Sequence, residues 1–334
     1  MKAFLVPLVR PRAWWFNKVP LSVTLVLLLL DGRRLSPAAV AVLALVVLTV
    51  CAAANYGYAL NELYDVEEDA RSGRANAAAA SGAPRTRAIV LLSGLIAEFG
   101  AFAAAGTSGA LITVVELALP AAYSMPPLRI KERKWLGVAA DGLAAHVYPA
   151  VLALLAVSHW SVRPVVPALA LPVVLWSAAA GLRGILSHQL QTAERDRGAG
   201  LATVVHDLGS ARLERFIVAV LLPVEVLAFG AALVASGAGP VLWAGVALYL
   251  LYEAYKTAAG GFRVVAFRPG GQRYLPFVEE RWYKAWGPLV LALDAARADP
   301  LYLLVVPAYV LLFRPHLDNE RNDLRAVIEA LRPR

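Results

Sequence analysis

The sequence is organised around the stretch Asn55-Tyr-Gly-Tyr-Ala-Leu-Asn61-Glu-Leu-Tyr-Asp65-Val-Glu-Glu-Asp69-Ala-Arg71-Ser-Gly-Arg74-Ala-Asn76, which begins as an apolar run and ends in carboxylates and arginines. Asn61, Asp65 and Asp69 follow one another at intervals of four residues, which places them on one face of a continuous helix. Such oxygen ligands suit Mg²⁺, which commonly lies between one or two carboxylates and substrate phosphates. The stretch therefore predicts a Mg²⁺–pyrophosphate site, with Glu62, Glu67 and Glu68 on other faces.

The composition predicts a membrane protein. Hydrophobic residues make up 59% of the 334 residues, and the mean hydropathy is +0.61. Charged residues make up 17%, against roughly 25% in an ordinary soluble domain. Several apolar runs approach or exceed the ~20 residues that a helix needs to cross a bilayer. We predict an all-α fold, a polytopic helical bundle embedded in a membrane.

The net charge of +8 fits the same interpretation. Cytoplasmic loops of membrane proteins are rich in Lys and Arg, so the excess favours loop anchoring over a nucleic-acid partner. An N-terminal segment with Lys2, Arg10 and Lys18 precedes the first apolar run, but no small-residue cleavage site follows it. We expect a first membrane helix with its N-terminus in the cytoplasm.

The apolar periodicity predicts about nine transmembrane helices, near 14–31, 37–65, 86–106, 108–124, 135–157, 164–192, 212–236, 240–258 and 285–313. Charged residues and Pro300 interrupt the last helix, and two segments there would give ten. We expect one domain, 1–313, with pseudo-repeat halves of about 14–124 and 135–258. A short polar C-terminal tail, 314–334, follows.

Basic residues gather on the same predicted face as the carboxylates. Pro126 and Pro127 end a helix, and a basic loop follows them. Such cations hold phosphate oxygens, although an ordinary positive-inside anchor has the same composition. We predict that pyrophosphate is bound by Asn61, Arg71, Arg74, Arg129, Lys131 and Arg133.

A second polar helix end lies at 188–196. His188, Thr192 and Asp196 repeat the four-residue spacing, and only Asp196 is a strong ligand for a hard metal. His188 is expected to contact phosphate or act as a base, the alternative being an ordinary satisfied polar residue.

Asp141 lies about two turns into a predicted helix. A buried carboxylate must be paired or protonated. We expect Asp141 to steer a cation, to bind an acceptor, or to pair with Lys131 or Arg183.

Together these motifs resemble the UbiA superfamily of intramembrane prenyltransferases. Asn61-Glu62-x-x-Asp65-x-x-x-Asp69 is similar to the family's first aspartate-rich motif, NDxxDxxxD, with Glu62 at its second position. Tyr123-Ser-Met-Pro-Pro127-Leu-Arg129, with Lys131 and Arg133, is similar to the family's basic loop. Asp196-Arg197-x-x-Gly200-x-x-Thr203 resembles the end of the second aspartate-rich motif. The resemblance covers about residues 50 to 215.

The resemblance implies a central, lipid-open cavity in which two Mg²⁺ ions hold an isoprenyl pyrophosphate. Ionisation gives an allylic cation that alkylates an aromatic or other lipophilic acceptor. The expected catalytic residues are Asp65, Asp69, Asp196 and Asp141, and the expected metal ligands are Asn61, Asp65, Asp69 and Asp196. We expect contact with membrane lipids and a location in a bacterial cell membrane, with the active site on the cytoplasmic face.

The second motif departs from the family pattern, because His188 and Thr192 stand where acids are expected. Either one metal is held more weakly, or His188 and Gln191 take part of the pyrophosphate. The departure leaves open a terpene cyclase, which ionises a prenyl pyrophosphate without an acceptor. A membrane transporter is the alternative from another class, but its polar site would lie near the membrane midplane.

Overall fold

The computed structural model describes residues 15–71, 73–198, 203–260 and 281–331, and every regular element within these ranges is helical. The all-α prediction is confirmed for them. The helices are α1 (Phe16–Leu30), α2 (Pro37–Tyr64), α3 (Val66–Arg71), α4 (Ala77–Ser81), α5 (Ala83–Ser124), α6 (Trp135–His159), α7 (Pro167–Gly198), α8 (Val204–Leu208), α9 (Ser210–Ser236), α10 (Pro240–Gly260), α11 (Trp282–Trp286 continued by Gly287–Ala295), α12 (Pro300–Leu312) and α13 (Arg314–Leu331).

Several helices have the length and composition of membrane spans. Within the described ranges these are α2, α5, α6, α7 over Pro167–Glu194, and α9. The segments Pro300–Leu312 and Arg314–Glu329 pass the same test together, although the chain bends by 76° between them. These are the helices of an integral membrane protein. The count of about nine spans stays a prediction.

Helix α5 is a hairpin rather than one long rod. At its middle, Gly106 has φ 60° and ψ −151°, a conformation that only glycine adopts readily. A Cβ atom added to Gly109 would collide with the backbone carbonyl of Ala101, although eight residues of straight helix span about 12 Å. The two arms, 83–104 and 107–124, therefore run antiparallel, as the separate predicted helices at 86–106 and 108–124 require.

Helix α1 lies inside the bundle. Residues 26–30, a valine and four leucines, are fully buried. The helix packs against α2, α6, α9 and α11. Burial of these side chains joins the N-terminal part of the chain to its C-terminal part in one hydrophobic core.

Prolines inside the helices leave carbonyl groups without their helical N–H partner, and side chains of other helices satisfy three of these carbonyls. A proline has no N–H for the carbonyl four residues earlier. Three carbonyls of this kind each accept a side-chain hydrogen bond; they belong to Phe16 (before Pro20, donor His316, 2.5 Å), Ala145 (before Pro149, donor Lys18, 3.4 Å) and Lys284 (before Pro288, donor Tyr309, 2.7 Å). A backbone carbonyl that lacks its helical N–H partner because of a proline thus accepts a hydrogen bond from another helix at three places in this fold.

At the C-terminal end the chain follows the two-segment alternative, and the predicted polar tail forms a helix. The helix expected at 285–313 is two helices, because the chain turns after Ala295 and the Asp299 carboxylate accepts hydrogen bonds from the N–H groups of Leu35 and Leu301. The predicted polar tail is helical over α13, which packs on α10 with Val327 fully buried. The tail's apolar residues, spaced for one helix face, explain why it folds.

Candidate active site

The helices surround a cavity of about 870 Å³. Its lining comes mainly from α2, the second arm of α5, α6 and α7, with further residues from α1, α11 and α13. The predicted site residues in this lining are Asn61, Asp65, Arg74, Lys131, Asp141, His188, Gln191 and Asp196. Asp69, Arg71, Arg129 and Arg133 are outside it. One end of the cavity therefore gathers acids and cations from distant parts of the sequence.

The continuous helix expected through Asp69 is wrong. Helix α2 ends at Tyr64, and Asp65 caps it with φ −102° and ψ 9° before the separate helix α3 begins. Asp69 contacts the loop behind α3, where its carboxylate accepts from Asn76 Nδ2 at 2.9 Å and pairs with Arg74 Nε at 3.0 Å. The four-residue spacing therefore does not bring Asp69 to the cavity face of Asn61 and Asp65.

Glu68 lies beside Asp65 at the cavity end. Lys131 Nζ lies 2.5 Å from Asp65 Oδ1 and 2.9 Å from Glu68 Oε2. All three side chains are at most 13% exposed. The expectation that Glu68 lies on a different face from Asp65 is therefore wrong, because the break after Tyr64 reorients α3.

The basic loop lies over these carboxylates. Arg129 has a left-handed backbone (φ 35°), and its guanidinium contacts Glu68 at 3.1 Å and Glu132 at 2.6 Å. Arg74 reaches Glu68 at 3.4 Å from the other side. Arg71 and Arg133 are exposed outside the cavity lining.

The two carboxylates that share Lys131 differ in their proton affinity. Burial raises the pKa of Asp65, and the hydrogen bond and charge of Lys131 offset this only in part. Burial also opposes ionisation of Glu68, but Lys131 and Arg129 together outweigh it and lower the pKa of Glu68. Glu68 is thus the more firmly ionised member of the pair.

The second polar helix end, in α7, lies across the cavity. Thr192 donates a hydrogen bond to Asp196 Oδ2 at 2.5 Å and so fixes this buried carboxylate. His188 and Gln191 are exposed to the cavity. Helix α8 supports this segment from behind, since Gln189 accepts the N–H of Val204. The threonine therefore positions the one acid that remains in the motif.

Asp141 faces the cavity without either of its two expected partners. Lys131 binds Asp65 and Glu68, and Arg183 forms a buried pair with Glu225. The charges that act on Asp141 are those of Lys18 and His188.

Sequence reasoning missed several charged residues of the lining, and the most informative of them are Lys18 and Glu116. Glu116 is the single charged residue in the second arm of α5, and this is a signal of function that the sequence carries. The sequence predicts Lys18 only as part of the basic N-terminal segment before the first apolar run. No group of three or more His, Cys, Asp or Glu side chains within the described ranges is arranged to hold a metal ion by itself.

The profile of the UbiA prenyltransferase family matches residues 20–260. The chain belongs to this family. Its fold is similar to a UbiA homologue from Archaeoglobus fulgidus bound to DMAPP and Mg²⁺, with a TM-score of 0.61, 17% identity, and coverage of 88% of this chain and 99% of that chain. A UbiA homologue from Archaeoglobus fulgidus bound to GPP and Mg²⁺ is also similar, with a TM-score of 0.60, 17% identity, and coverage of 88% of this chain and 98% of that chain.

A third UbiA-family structure, the apo UbiA homologue from Aeropyrum pernix K1, has a TM-score of 0.59, 18% identity, and coverage of 83% of this chain and 95% of that chain. At such identities the likeness is one of fold. No curated protein sequence matches the chain.

Proposed function

We propose that this UbiA-family chain is a Mg²⁺-dependent intramembrane prenyltransferase that ionises an isoprenyl diphosphate and transfers the prenyl group to an aromatic or other lipophilic acceptor. One observation carries the proposal. Carboxylates and cations converge at one end of a cavity that also has apolar lining from residues such as Val50, Ala53, Leu119 and Pro149. A diphosphate needs the first environment and an isoprenyl chain needs the second.

The chemistry of the donor set fits a hard cation. Asp65 and Glu68 already hold the ammonium of Lys131 between them, so their oxygens converge on one positive charge. Two carboxylates do not complete a magnesium site, but Mg²⁺ usually takes its other ligands from water and substrate phosphate. Bound there, Mg²⁺ would supply Lewis-acid stabilisation of the diphosphate leaving group.

We propose Asn61, Asp65, Glu68 and Asp196 as the metal ligands that face the cavity. Asp69 takes part only after release from Asn76 and Arg74. Two structures of a UbiA homologue from Archaeoglobus fulgidus contain Mg²⁺ together with DMAPP or GPP, which supports the assignment of both ligands to this cavity.

The cationic residues would hold the diphosphate. Lys131 and Arg74 line the cavity, and Arg129 adjoins it through Glu68. His188 and Gln191 add hydrogen-bonding groups from the opposite wall, and Arg71 and Arg133 contribute long-range positive charge. Asp141 lies on the wall between the two ends, where it would stabilise the developing allylic cation.

We further propose that residues 1–313 act as one domain in a bacterial cell membrane, with the carboxylate end on the cytoplasmic side. The support is the excess of Lys and Arg in the loops at this end.

The test is incubation of the purified protein with C10, C15 and C20 prenyl diphosphates, with Mg²⁺ or with EDTA, and with or without a membrane lipid extract. Products are read by mass spectrometry. We expect Mg²⁺-dependent diphosphate release and a prenylated product that requires the extract, and we expect the Asp65→Asn variant to yield neither.

Three other outcomes would change the assignment. A hydrocarbon formed without extract selects the cyclase alternative. Intact donors under every condition refute the enzyme. Saturable flux of a solute into vesicles without covalent change selects a transporter.

A further inference from the structure

Glu116 is a buried carboxylate on the cavity wall that no residue of the described chain satisfies. It is 5% exposed, it lies in the second arm of α5, and it is part of the cavity lining. Its Oε2 atom has no hydrogen-bond partner among the described residues. Leaving such an oxygen without a donor is costly, so a bound donor group would stabilise the site.

The backbone at Glu116 offers a second acceptor. Pro120 lies four residues later in the same arm and has no N–H for the Glu116 carbonyl. The comparable carbonyls of Phe16, Ala145 and Lys284 each accept a side-chain donor from another helix. In the described part of the chain, no side chain fills this place at Glu116. Glu116, a residue of the cavity lining, thus offers two acceptor groups.

This position is separate from the carboxylate end. Ser124, at the end of the same arm, donates to Asn61 Oδ1 at 3.1 Å and so marks the level of the diphosphate site. Glu116 lies eight residues earlier, about 12 Å along the helix axis. A ligand at Glu116 would therefore lie beside the prenyl chain and not on the diphosphate.

The surrounding charges select the kind of ligand. Lys18 and Asp141 are the charged groups that act on the Glu116 carboxylate. Asp141 and Glu116 repel an anion, and Lys18 offsets the attraction that these carboxylates exert on a cation. A neutral hydrogen-bond donor remains. Leu119, Ala144 and Ala145 also line the cavity, so an apolar body suits the rest of the ligand.

We infer that Glu116, with the carbonyl freed by Pro120, is the subsite for the hydroxyl group of a neutral lipophilic alcohol or phenol. The inference rests on the proposed function, because it places the acceptor of that reaction. The hydroxyl group donates to Glu116, and the apolar body extends along the cavity.

The experiment measures binding of 1-naphthol and of naphthalene to the detergent-solubilised protein, by calorimetry and by naphthol fluorescence. We expect the wild type to prefer 1-naphthol by roughly tenfold, the value of a charge-assisted hydrogen bond. Glu116→Leu should reduce the preference to within about threefold. Pro120→Ala restores the helical donor and should reduce it partly. Glu98→Gln, a buried-oxygen carboxylate in the other arm and outside the lining, should preserve it.

The outcomes separate this subsite from the proposed function. Absence of a hydroxyl preference in the wild type, or its full retention in Glu116→Leu with an unchanged thermal unfolding temperature, overturns the subsite. A wild type that shows the preference but never consumes a prenyl diphosphate supports the subsite and refutes the proposed reaction. Circular dichroism and thermal unfolding show whether each variant is folded. If Glu116→Leu is not folded, the preference of Pro120→Ala for 1-naphthol over naphthalene decides.

Discussion

Lys131 Nζ lies 2.5 Å from Asp65 Oδ1, and it holds Glu68 at 2.9 Å with the same ammonium group. A positive side chain therefore lies where the proposed reaction requires a divalent cation. Metal and ammonium compete for the same oxygens, while a bound diphosphate offers the ammonium a new anionic partner. Lys131 should thus oppose binding of metal alone and favour binding of metal with diphosphate.

Replacing Lys131 with Met should change the two affinities in opposite directions. We expect Mn²⁺ alone, followed by electron paramagnetic resonance, to bind several-fold more tightly because two carboxylates lose their ammonium partner. Geranyl diphosphate with Mg²⁺, followed by calorimetry, should bind about tenfold more weakly because a charge-assisted contact is lost. Lys134→Met is the matched control, since Lys134 pairs with Asp207 on the exposed surface. A weaker affinity for Mn²⁺ alone in Lys131→Met would contradict this competition.

Glu68 and Asp69 are neighbours with different surroundings, and their amide variants should differ accordingly. Glu68→Gln should weaken Mn²⁺ binding by about tenfold, because the cavity end loses one of two converging charges. Asp69→Asn should affect thermal unfolding more than metal binding, because Asp69 holds Asn76 and Arg74 and a lost charged hydrogen bond costs about 1–3 kcal/mol. Titration with Mn²⁺ and thermal unfolding of both variants test the contrast. The reverse pattern would restore Asp69 as the principal ligand.

The sequence predicts the helices and most of the polar cavity end, but not the break between Tyr64 and Val66. Four-residue spacing defines one face only while a helix continues, and nothing in Tyr64-Asp65-Val66 marks a stop as strongly as Gly or Pro does. Because of that break, Glu68 and not Asp69 lies beside Asp65 at the cavity end. Lys131 and Asp65 are both predicted site residues. Their contact, however, depends on the tertiary packing of α2 against the loop after α5. Periodicity within one helix contains no information about such a contact.

Asp31 gives the protein a pH-dependent stability at the end of α1. Its carboxylate is buried, and burial together with the nearby charge of Asp294 raises its pKa from 3.8 to about 6. The folded state therefore binds this proton more tightly than the unfolded state does. Its stabilising contribution is complete below about pH 4 and is lost as the pH rises through about 6.

Asp31→Asn should remove this dependence. The unfolding temperature of the variant relative to the wild type should rise between pH 4 and pH 7, because only the wild type loses a stabilising proton in that interval. The control is Asp207→Asn, whose carboxylate lies on the exposed surface. A difference between variant and wild type that is constant with pH, or that falls, would show that Asp31 does not hold this proton.

Arg183 and Glu225 join α7 to α9 through a buried two-point contact, with Nε to Oε2 at 2.5 Å and Nη2 to Oε1 at 3.0 Å. Tyr283 of α11 donates to the same carboxylate at 2.9 Å. Removing one partner of a buried ion pair leaves an uncompensated charge and costs about 3–5 kcal/mol, whereas replacing both by apolar residues is often neutral. We therefore expect Glu225→Leu to lower the unfolding temperature strongly and the double variant Arg183→Leu/Glu225→Leu to recover most of the loss.

Tyr283→Phe serves as the intermediate case in the same series. It removes one hydrogen bond to Glu225 while both charges remain paired, so the expected cost is about 1 kcal/mol. Thermal unfolding of the three variants in one detergent gives the ranking directly. If the double variant is less stable than Glu225→Leu, the pair stabilises the bundle beyond charge compensation. The link among α7, α9 and α11 would then be an ionic support of the cavity wall that apolar packing cannot replace.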